Sequence, residues 1–508
     1  MKRWGLIILA VLLLGIVPTF AQDDELPIFE EDDCIFPELD GVTCGYLIVP
    51  EDRADPDSPE IYLAVAIIGA RNGTPLPDPV IYLEGGPGGA AIFAVEDFMT
   101  HPLAQNRDLI LIDQRGTGFS EPSLNCYEME EGESEDPTTD CYERLLEEGI
   151  NLSAYTSADN AADIADLRVA LGYDEVNLYG ISYGTRLALS VMRDHPEGIR
   201  SVVIDSVYPP EVNSITTGPE DTVRAFTYLF DACAADADCN AAYPNLEADF
   251  YAMIEDFNLN PPTFVYDDGE GESDVELYGD DILEVMFQTL YVTDSIPMLP
   301  YGITLMLNAA DDFDYSGAYE ILSGFWTPVS WIAGESEGSE SVFTDSDAVN
   351  QILDELGDIT DNEGMYNSVT CAEETPFEDF DSAYASVENA PAAIQEYLYQ
   401  SIDTAALDCD IWQVDPSAGI EAERVVSDIP TLVISGGFDP VTPPSYGDSA
   451  AQGLSNSLHL VFANGGHGIS GSPGCAANIV HAFVDDPSAP IDDSCRGAEA
   501  LVEWYIED

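Results

Sequence analysis

Residues 176–184 read Val-Asn-Leu-Tyr-Gly-Ile-Ser-Tyr-Gly, which places a Gly-x-Ser-x-Gly motif between an apolar run and a helical pattern. The run Val176–Tyr179 predicts a buried strand, and Tyr183–Arg193 predicts a helix that follows it almost directly. The turn between them is so tight that glycine is favoured on either side of Ser182. This strand–turn–helix context predicts that Ser182 is an exposed nucleophile rather than a structural turn residue.

Similar apolar and β-branched runs recur on both sides of the motif and predict further strands. They are Gly45–Val49, Ile61–Ile68, Val80–Leu83, Leu109–Asp113, Val202–Asp205, Thr431–Ser435 and His459–Phe462. Helical patterns such as Asn160–Leu171 lie between some of them. Strands that alternate with helices predict a mostly parallel central sheet covered on both faces, so the predicted fold class is α/β.

The alternation stops near residue 210 and resumes near residue 428. The stretch between is rich in aromatic residues and has helix-compatible segments, such as Thr222–Ala235, Asp281–Leu290 and Ala392–Tyr399. We therefore predict that residues 22–210 and 428–508 form the two parts of one catalytic domain. Residues 211–427 would form a large, mainly helical insertion, called the cap below.

A serine hydroxyl is weakly nucleophilic until a base accepts its proton. The chain has five histidines, and one of them, His467, stands between glycines directly after the last predicted strand. The flanking glycines leave its imidazole free to approach the serine. We therefore predict that His467 is the base.

The base needs a carboxylate that fixes its tautomer and stabilises the imidazolium. Asp439 follows the predicted strand Thr431–Ser435 and gives the chain order Ser182, Asp439, His467, which is the order of α/β-hydrolases. The rival is Asp205, at the end of the strand that follows the Ser182 helix. Position in the chain favours Asp439.

The negative oxygen formed during acyl transfer needs two N–H donors. One donor would be the backbone of Tyr183, the residue after the nucleophile. The other would come from the Gly-rich loop Glu84–Gly89, which follows the strand Val80–Leu83. We favour the N–H of Gly86, with that of Gly85 as the alternative. Another loop, Asp113–Gly118, follows the predicted strand Leu109–Asp113, and we expect it to contain a buried ion pair that braces neighbouring loops.

Residues 1–21 have the pattern of a cleaved signal peptide. Two basic residues precede the 14-residue apolar run Trp4–Val17, and Thr19 and Ala21 occupy the small-residue positions before the expected cleavage after Ala21. The run is shorter than the roughly 20 residues that a membrane span needs. The sequence therefore predicts a secreted or periplasmic protein without a membrane anchor after cleavage.

The ten cysteines fit an oxidising compartment, and sequential pairing would close five local disulfide loops. Their spacing gives no Cys-x-x-Cys motif, and no histidine stands at ligand spacing, so no metal site is predicted.

The charge balance restricts the partners. The chain has 97 Asp and Glu against 14 Lys and Arg, for a formal net charge of -83. Phosphate binding requires clustered basic residues, so nucleic acid and anionic membrane surfaces are excluded as expected partners. A hydrophobic fraction of 45% supplies enough apolar residues for a folded core, which argues against intrinsic disorder.

Together these residues resemble the α/β-hydrolase peptidases of the proline iminopeptidase and tripeptidyl aminopeptidase family. The resemblance extends from about Cys44 to the C-terminus, and its motifs are Gly85–Gly88, Asp113–Gly116, Gly180–Gly184 and the segments around Asp439 and His467. It implies an α/β-hydrolase fold with a helical cap over the serine. It also implies a secreted aminopeptidase that cleaves residues or short peptides from free peptide N-termini through an acyl-enzyme. No cofactor is implied, because the triad supplies the nucleophile and the base.

The resemblance further implies that acids of the cap hold the α-ammonium group of the substrate. Ser368–Glu373 looks like the Cys-x-acid segment of the family, which makes Glu373 the expected anchor and Glu374 the alternative. The family commonly has His where this chain has Glu84, so the resemblance assigns no role to that side chain.

Two alternative functions are compatible with the same residues. A carboxylesterase or lipase would share the triad, because the acyl chemistry is the same. A non-catalytic binding domain of this fold would typically lack a member of the triad, and this chain has a candidate for each member.

The excess of acids also predicts how stability depends on salt. Removal of residues 1–21 takes away Lys2, the sole lysine, and Arg3, which changes the charge from -83 to about -85. Such a chain repels itself at low ionic strength. We predict that the melting temperature rises between ~10 mM and ~1 M NaCl, where the Debye length falls from ~30 to ~3 Å. An unchanged melting temperature would contradict this.

Overall fold

The computed structural model describes residues 26–35, 39–130, 134, 136–267, 272–312, 361–498 and 502–506. The predicted signal peptide, residues 1–21, and residues 313–360 of the predicted cap lie outside the described residues. No helix within the described ranges is long and apolar enough to cross a membrane.

The described residues build one sheet of nine strands. In chain order these strands are β1 (Ile28–Asp32), β2 (Val42–Pro50), β3 (Glu60–Ile68), β4 (Val80–Leu83), β5 (Leu109–Ile112), β6 (Val176–Ile181), β7 (Ile199–Asp205), β10 (Thr431–Gly436) and β11 (Ser457–Phe462). A separate antiparallel hairpin consists of β8 (Thr263–Asp267) and β9 (Glu272–Glu276).

The strand order in the sheet is β1-β2-β3-β5-β4-β6-β7-β10-β11. Strands β1, β2 and β3 pair antiparallel, as do β3 and β5, whereas the pairs from β5 to β11 are parallel. The mostly parallel α/β sheet predicted from the sequence is thus confirmed. The additional edge strand β1 escaped prediction because its sequence, Ile-Phe-Glu-Glu-Asp, is mainly acidic.

Helices cover both faces of this sheet and build the cap. Those before the predicted cap are α1 (Val95–Thr100), α2 (Tyr127–Glu130), α3 (Pro137–Glu147), α4 (Ser157–Ala170) and α5 (Tyr183–Asp194). Those of the cap are α6 (Ser214–Ala235), α7 (Ala237–Ala242), α8 (Leu246–Leu259), α9 (Gly279–Thr289), α10 (Leu299–Asp312), α11 (Glu363–Glu373), α12 (Phe380–Val387) and α13 (Gln395–Ile411). Those after it are α14 (Pro444–Ala451), α15 (Cys475–Asp485) and α16 (Ser494–Ala498).

The buried apolar residues fall into three clusters. One cluster combines sheet residues with α4 and α5, and a second combines sheet residues with α1 and α15. The third lies among the cap helices, apart from Phe438 of the catalytic domain. One part of the predicted cap departs from this division, because Met365 and Val369 of α11 pack in the first cluster with the sheet.

The ten cysteines form five disulfides between neighbours in the sequence, so the sequential pairing is confirmed. The pairs are Cys34–Cys44, Cys126–Cys141, Cys233–Cys239, Cys371–Cys409 and Cys475–Cys495.

Candidate active site

Ser182 is the single residue between β6 and α5, and its backbone is in a strained conformation. Its φ of 56° and ψ of −126° lie where L-residues are rarely found, and such strain persists only where the surroundings impose it. The N–H of Ser182 donates to Asp205 O at 3.0 Å, which ties the turn to β7. A Cβ atom on Gly184 would overlap the carbonyl oxygen of Leu83, so this position of the motif requires glycine.

Asp439 and His467, which lie 28 residues apart in sequence, meet at the ends of β10 and β11. The imidazole Nδ1 lies 2.9 Å from Asp439 Oδ2, and both side chains are almost fully buried. Because β10 and β11 are parallel neighbours, their following loops leave the sheet at the same edge. The structure thus brings together two of the three residues predicted for the triad, at the edge of the sheet where β6 leads into Ser182.

Three further hydrogen bonds fix the Asp439 carboxylate. Oδ1 accepts hydrogen bonds from the backbone N–H of Thr442 at 2.8 Å and of Val441 at 3.1 Å. Oδ2 accepts the Thr442 hydroxyl at 2.7 Å, and that hydroxyl lies 3.1 Å from His467 Nδ1. Burial opposes ionisation of Asp439, but His467 and these hydrogen bonds outweigh it and lower its pKa. The carboxylate is therefore ionised and can stabilise an imidazolium.

Asp205, the rival acid, has other partners. Its Oδ2 accepts the backbone N–H of Ser470 at 2.7 Å and the Ser470 hydroxyl at 2.6 Å. Burial raises the pKa of Asp205. These contacts give Asp205 a structural role at the loop after His467, whereas Asp439 directly contacts the imidazole.

The Gly-rich loop lies against the serine. A Cβ atom on Gly85 would lie 3.0 Å from Ser182 Cβ, so the backbone of this loop closely approaches the turn. The N–H of Gly85 already donates to Glu84 Oε1 at 2.7 Å. Among the described residues, the N–H groups of Gly86 and Tyr183 donate to no protein acceptor. These two amides are the ones predicted from the sequence, and the contact of Gly85 disfavours the alternative.

The loop Asp113–Gly118 braces this region. Asp113 accepts the backbone N–H groups of Ile92 and Phe119, each at 2.9 Å, while Gln114 Nε2 donates to Glu84 O at 3.0 Å. Arg115 forms a two-pronged buried ion pair with Asp163, at 2.7 and 2.9 Å. The expected buried ion pair is therefore present, but it ties this loop to the helix α4 rather than to a second loop.

The structure gives Glu373 a role different from the substrate anchor expected for it. Glu373 is 1% exposed, and its carboxylate accepts the backbone N–H of Ser157 at 2.6 Å and the Ser157 hydroxyl at 2.8 Å. Arg186 Nε donates to the same carboxylate at 3.3 Å. The carboxylate therefore caps α4 and balances a buried guanidinium, which leaves no open face for an ammonium group.

The alternative anchor, Glu374, is also enclosed. It is 4% exposed, and its carboxylate accepts the Tyr208 hydroxyl and both the N–H and hydroxyl of Ser214. Neither acid of the Cys-x-acid segment is therefore placed to meet a substrate. The sequence pattern could not reveal this, because burial depends on how α11 packs on the catalytic domain.

Two residues near the base were not predicted from the sequence. Thr442 links Asp439 to His467, as described above. Tyr291 packs its ring 4.9 Å from the imidazole, and its carbonyl oxygen accepts the N–H of His467 at 2.9 Å. Thr442 stands in the same loop as Asp439, which could have signalled its role. Tyr291 lies in the cap, and no motif marks it.

Within the described ranges, no group of three or more His, Cys, Asp or Glu is arranged to hold a metal ion.

Two family models match this chain. The model of the alpha/beta hydrolase fold matches residues 78–239, which include Ser182, and the model of the TAP-like protein matches residues 395–495, which include Asp439 and His467. The two models thus cover the segments that supply the site.

Several curated relatives of the chain are peptidases by name. The serine protease Hip1 of Mycobacterium tuberculosis is 26% identical over 489 residues, covering 89% of this chain and 86% of the relative. A tripeptidyl aminopeptidase of Streptomyces coelicolor is 31% identical over 202 residues, or 34% of this chain and 36% of the relative. A proline iminopeptidase of Xylella fastidiosa is 32% identical over 136 residues, or 27% of this chain and 34% of the relative. We conclude that the chain is a serine hydrolase with the α/β-hydrolase fold and a relative of these peptidases.

Proposed function

We propose that this protein is a secreted serine aminopeptidase that releases residues or short peptides from free peptide N-termini. The observation that carries the proposal is the contact between His467 Nδ1 and the buried carboxylate of Asp439, at the sheet edge where Ser182 forms a strained turn. The names of the relatives, which include a tripeptidyl aminopeptidase and a proline iminopeptidase, support the substrate class.

The reaction proceeds in two halves. Ser182 Oγ attacks the scissile carbonyl carbon while His467 Nε2 accepts the hydroxyl proton, and Asp439 stabilises the resulting imidazolium. The N–H groups of Gly86 and Tyr183 donate to the negative oxygen of the tetrahedral intermediate. The C–N bond then breaks, and His467 returns the proton to the leaving amine. Water attacks the acyl-enzyme by the same route and releases the N-terminal product.

An aminopeptidase must also recognise a positively charged N-terminus. Since Glu373 and Glu374 are enclosed, we assign this recognition to Glu84 and Asp361. Glu84 is partly exposed at the start of the oxyanion loop, and its carboxylate accepts the Gly85 N–H at 2.7 Å and the Tyr82 hydroxyl at 2.9 Å. Burial raises the pKa of Glu84, although these hydrogen bonds and His467 lower it in part. Asp361 forms a β-bridge with Gly89 at the other end of the same loop. In their ionised form, both carboxylates would place negative charge along the oxyanion loop, where it favours an ammonium group over a neutral ester.

Signal cleavage after Ala21 would deliver the enzyme to the periplasm or the medium. The five disulfides support this location, because such bonds persist in oxidising compartments.

The substrate class is tested by comparing an aminoacyl-arylamide with its N-acetylated form. We expect acetylation to lower kcat/KM by about 10- to 10²-fold, because hydrogen bonds to a charged group contribute about 1.5–3 kcal/mol. A panel with one, two or three residues before the reporter then shows the length of the released product. Equal rates on the free and acetylated substrates would contradict the aminopeptidase proposal and favour the carboxylesterase or lipase alternative.

The same comparison in Glu84→Gln tests the assigned anchor. Glutamine removes the charge but keeps an acceptor for the Gly85 N–H, and its NH₂ group can donate to the Tyr82 hydroxyl, which donates to the carboxylate in the wild type. The preference for the free N-terminus should therefore shrink while hydrolysis of the acetylated substrate persists. Glu60→Gln is the matched control, because Glu60 is exposed at the start of β3. An unchanged preference in Glu84→Gln would remove Glu84 from the assignment.

A further inference from the structure

The cap makes direct hydrogen bonds to the loop that carries Asp439. Arg224, in the middle of α6, donates from Nη1 to Gly437 O at 2.8 Å and from Nη2 to Asp439 O. The residue between these two carbonyls, Phe438, is 1% exposed and packs in the apolar cluster of the cap. The cap therefore holds three consecutive residues of this loop, two by their carbonyl oxygens and one by its side chain.

The cap also holds the loop that carries His467. Tyr228 lies one helical turn after Arg224, on the same face of α6, and its hydroxyl donates to Ala463 O at 3.0 Å. Its ring packs edge-on against Phe438 at 4.8 Å. On the other side, Thr293 Oγ1 accepts the N–H of Gly466 at 3.0 Å, and Tyr291 O accepts that of His467 at 2.9 Å. Both loops of the predicted triad are thus anchored on residues of the cap.

We propose that Arg224 is a positioning residue that sets the distance between the Asp439 carboxylate and His467. The carboxylate end of Asp439 is held by Thr442 and Val441, which belong to its own loop. Its backbone end is held by Arg224, which belongs to the cap. Without the guanidinium, the carbonyl oxygens of Gly437 and Asp439 lose their charged donor, and the loop can shift relative to the imidazole.

This proposal rests on the triad of the proposed function but goes beyond it, because it makes the cap part of the catalytic geometry. A cap that only covered the site would govern which substrates enter, and its loss would change KM. A cap that positions Asp439 governs turnover of every substrate that enters, so its loss changes kcat.

The test uses the mature enzyme with Arg224→Ala, Arg224→Lys and, as a matched control, Arg424→Ala. Arg424 also loses a charge on substitution, but it pairs with Glu211 at 2.8 Å on the surface. We expect kcat of Arg224→Ala to fall by about 10²-fold, the cost of a displacement of about 1 Å, with little change in KM. Arg224→Lys keeps a charged donor but cannot donate to both carbonyls in the bidentate geometry of arginine. Its kcat should therefore lie between that of Arg224→Ala and that of the wild type.

Two further readouts separate positioning from loss of structure. Guanidinium ion added to Arg224→Ala at concentrations well below denaturing ones should raise kcat, whereas it should not raise that of Arg424→Ala. The rate of labelling by a fluorophosphonate probe, which needs no peptide substrate, should fall in parallel with kcat. Labelling of Arg224→Ala at the wild-type rate would overturn the positioning role. Failure of the wild type to label at Ser182 would instead overturn the proposed function.

Discussion

Ser182→Ala is expected to lower kcat by about 10⁶-fold, because the acyl-enzyme can no longer form. The folded structure should persist, since the Ser182 N–H that donates to Asp205 O belongs to the backbone and remains in alanine. The strained φ of 56° is equally unfavourable for serine and alanine, so the melting temperature should stay close to that of the wild type. Steady-state hydrolysis of an aminoacyl-arylamide, together with thermal unfolding, checks both expectations.

The matched control for this variant is Ser190→Ala. Ser190 lies on the same helix, α5, and is also buried, but it is about two turns away from the strained junction. It should keep wild-type turnover and wild-type labelling by a fluorophosphonate. If Ser182→Ala kept full hydrolysis of every ester and peptide tested, the assignment of the nucleophile would be wrong, and with it the proposed mechanism.

Local sequence patterns are sufficient to predict the central strands of the sheet, because each of these strands is short, apolar and buried on both faces. Val80–Leu83 was predicted with its observed bounds, and Val176–Tyr179 fell short of the observed end by two residues. The glycines near Ser182 and His467 indicate that another part of the backbone lies close to each of these residues. This indication comes from the local sequence alone and needs no knowledge of the rest of the chain. The edge strand β1 and the hairpin β8–β9 lacked such patterns, because exposed strands tolerate acidic residues.

The cap contacts could not be predicted in the same way. Arg224, Tyr228, Tyr291 and Thr293 lie more than 160 residues before the loops that they hold. Local sequence patterns cannot predict contacts between residues so far apart in the chain. A single arginine in a chain with many acids also does not indicate which groups it will bind. Glu373 shows the converse, because its motif suggested exposure to substrate, whereas packing of α11 on α4 buried it.

Asp439→Asn is expected to lower kcat by about 10⁴-fold with little change of stability. The reason lies in the hydrogen bonds of the carboxylate. Oδ1 is held by the N–H groups of Val441 and Thr442, so the side-chain oxygen of asparagine must take this place. Its NH₂ group then faces His467 Nδ1 and donates to it. The imidazole proton moves to Nε2, and the ring can no longer accept the proton of Ser182.

Asp205→Asn is the matched control, since Asp205 is the other buried acid considered for this role. Its Oδ2 binds only Ser470 among the contacts of the described residues, and asparagine can still accept one of these hydrogen bonds. We therefore expect a lower melting temperature but wild-type kcat. The opposite pattern, with turnover lost in Asp205→Asn and kept in Asp439→Asn, would transfer the role of the triad acid to Asp205. Loss of turnover in Asp439→Asn alone, at an unchanged melting temperature, would show that the carboxylate beside His467 acts in the chemistry rather than in folding.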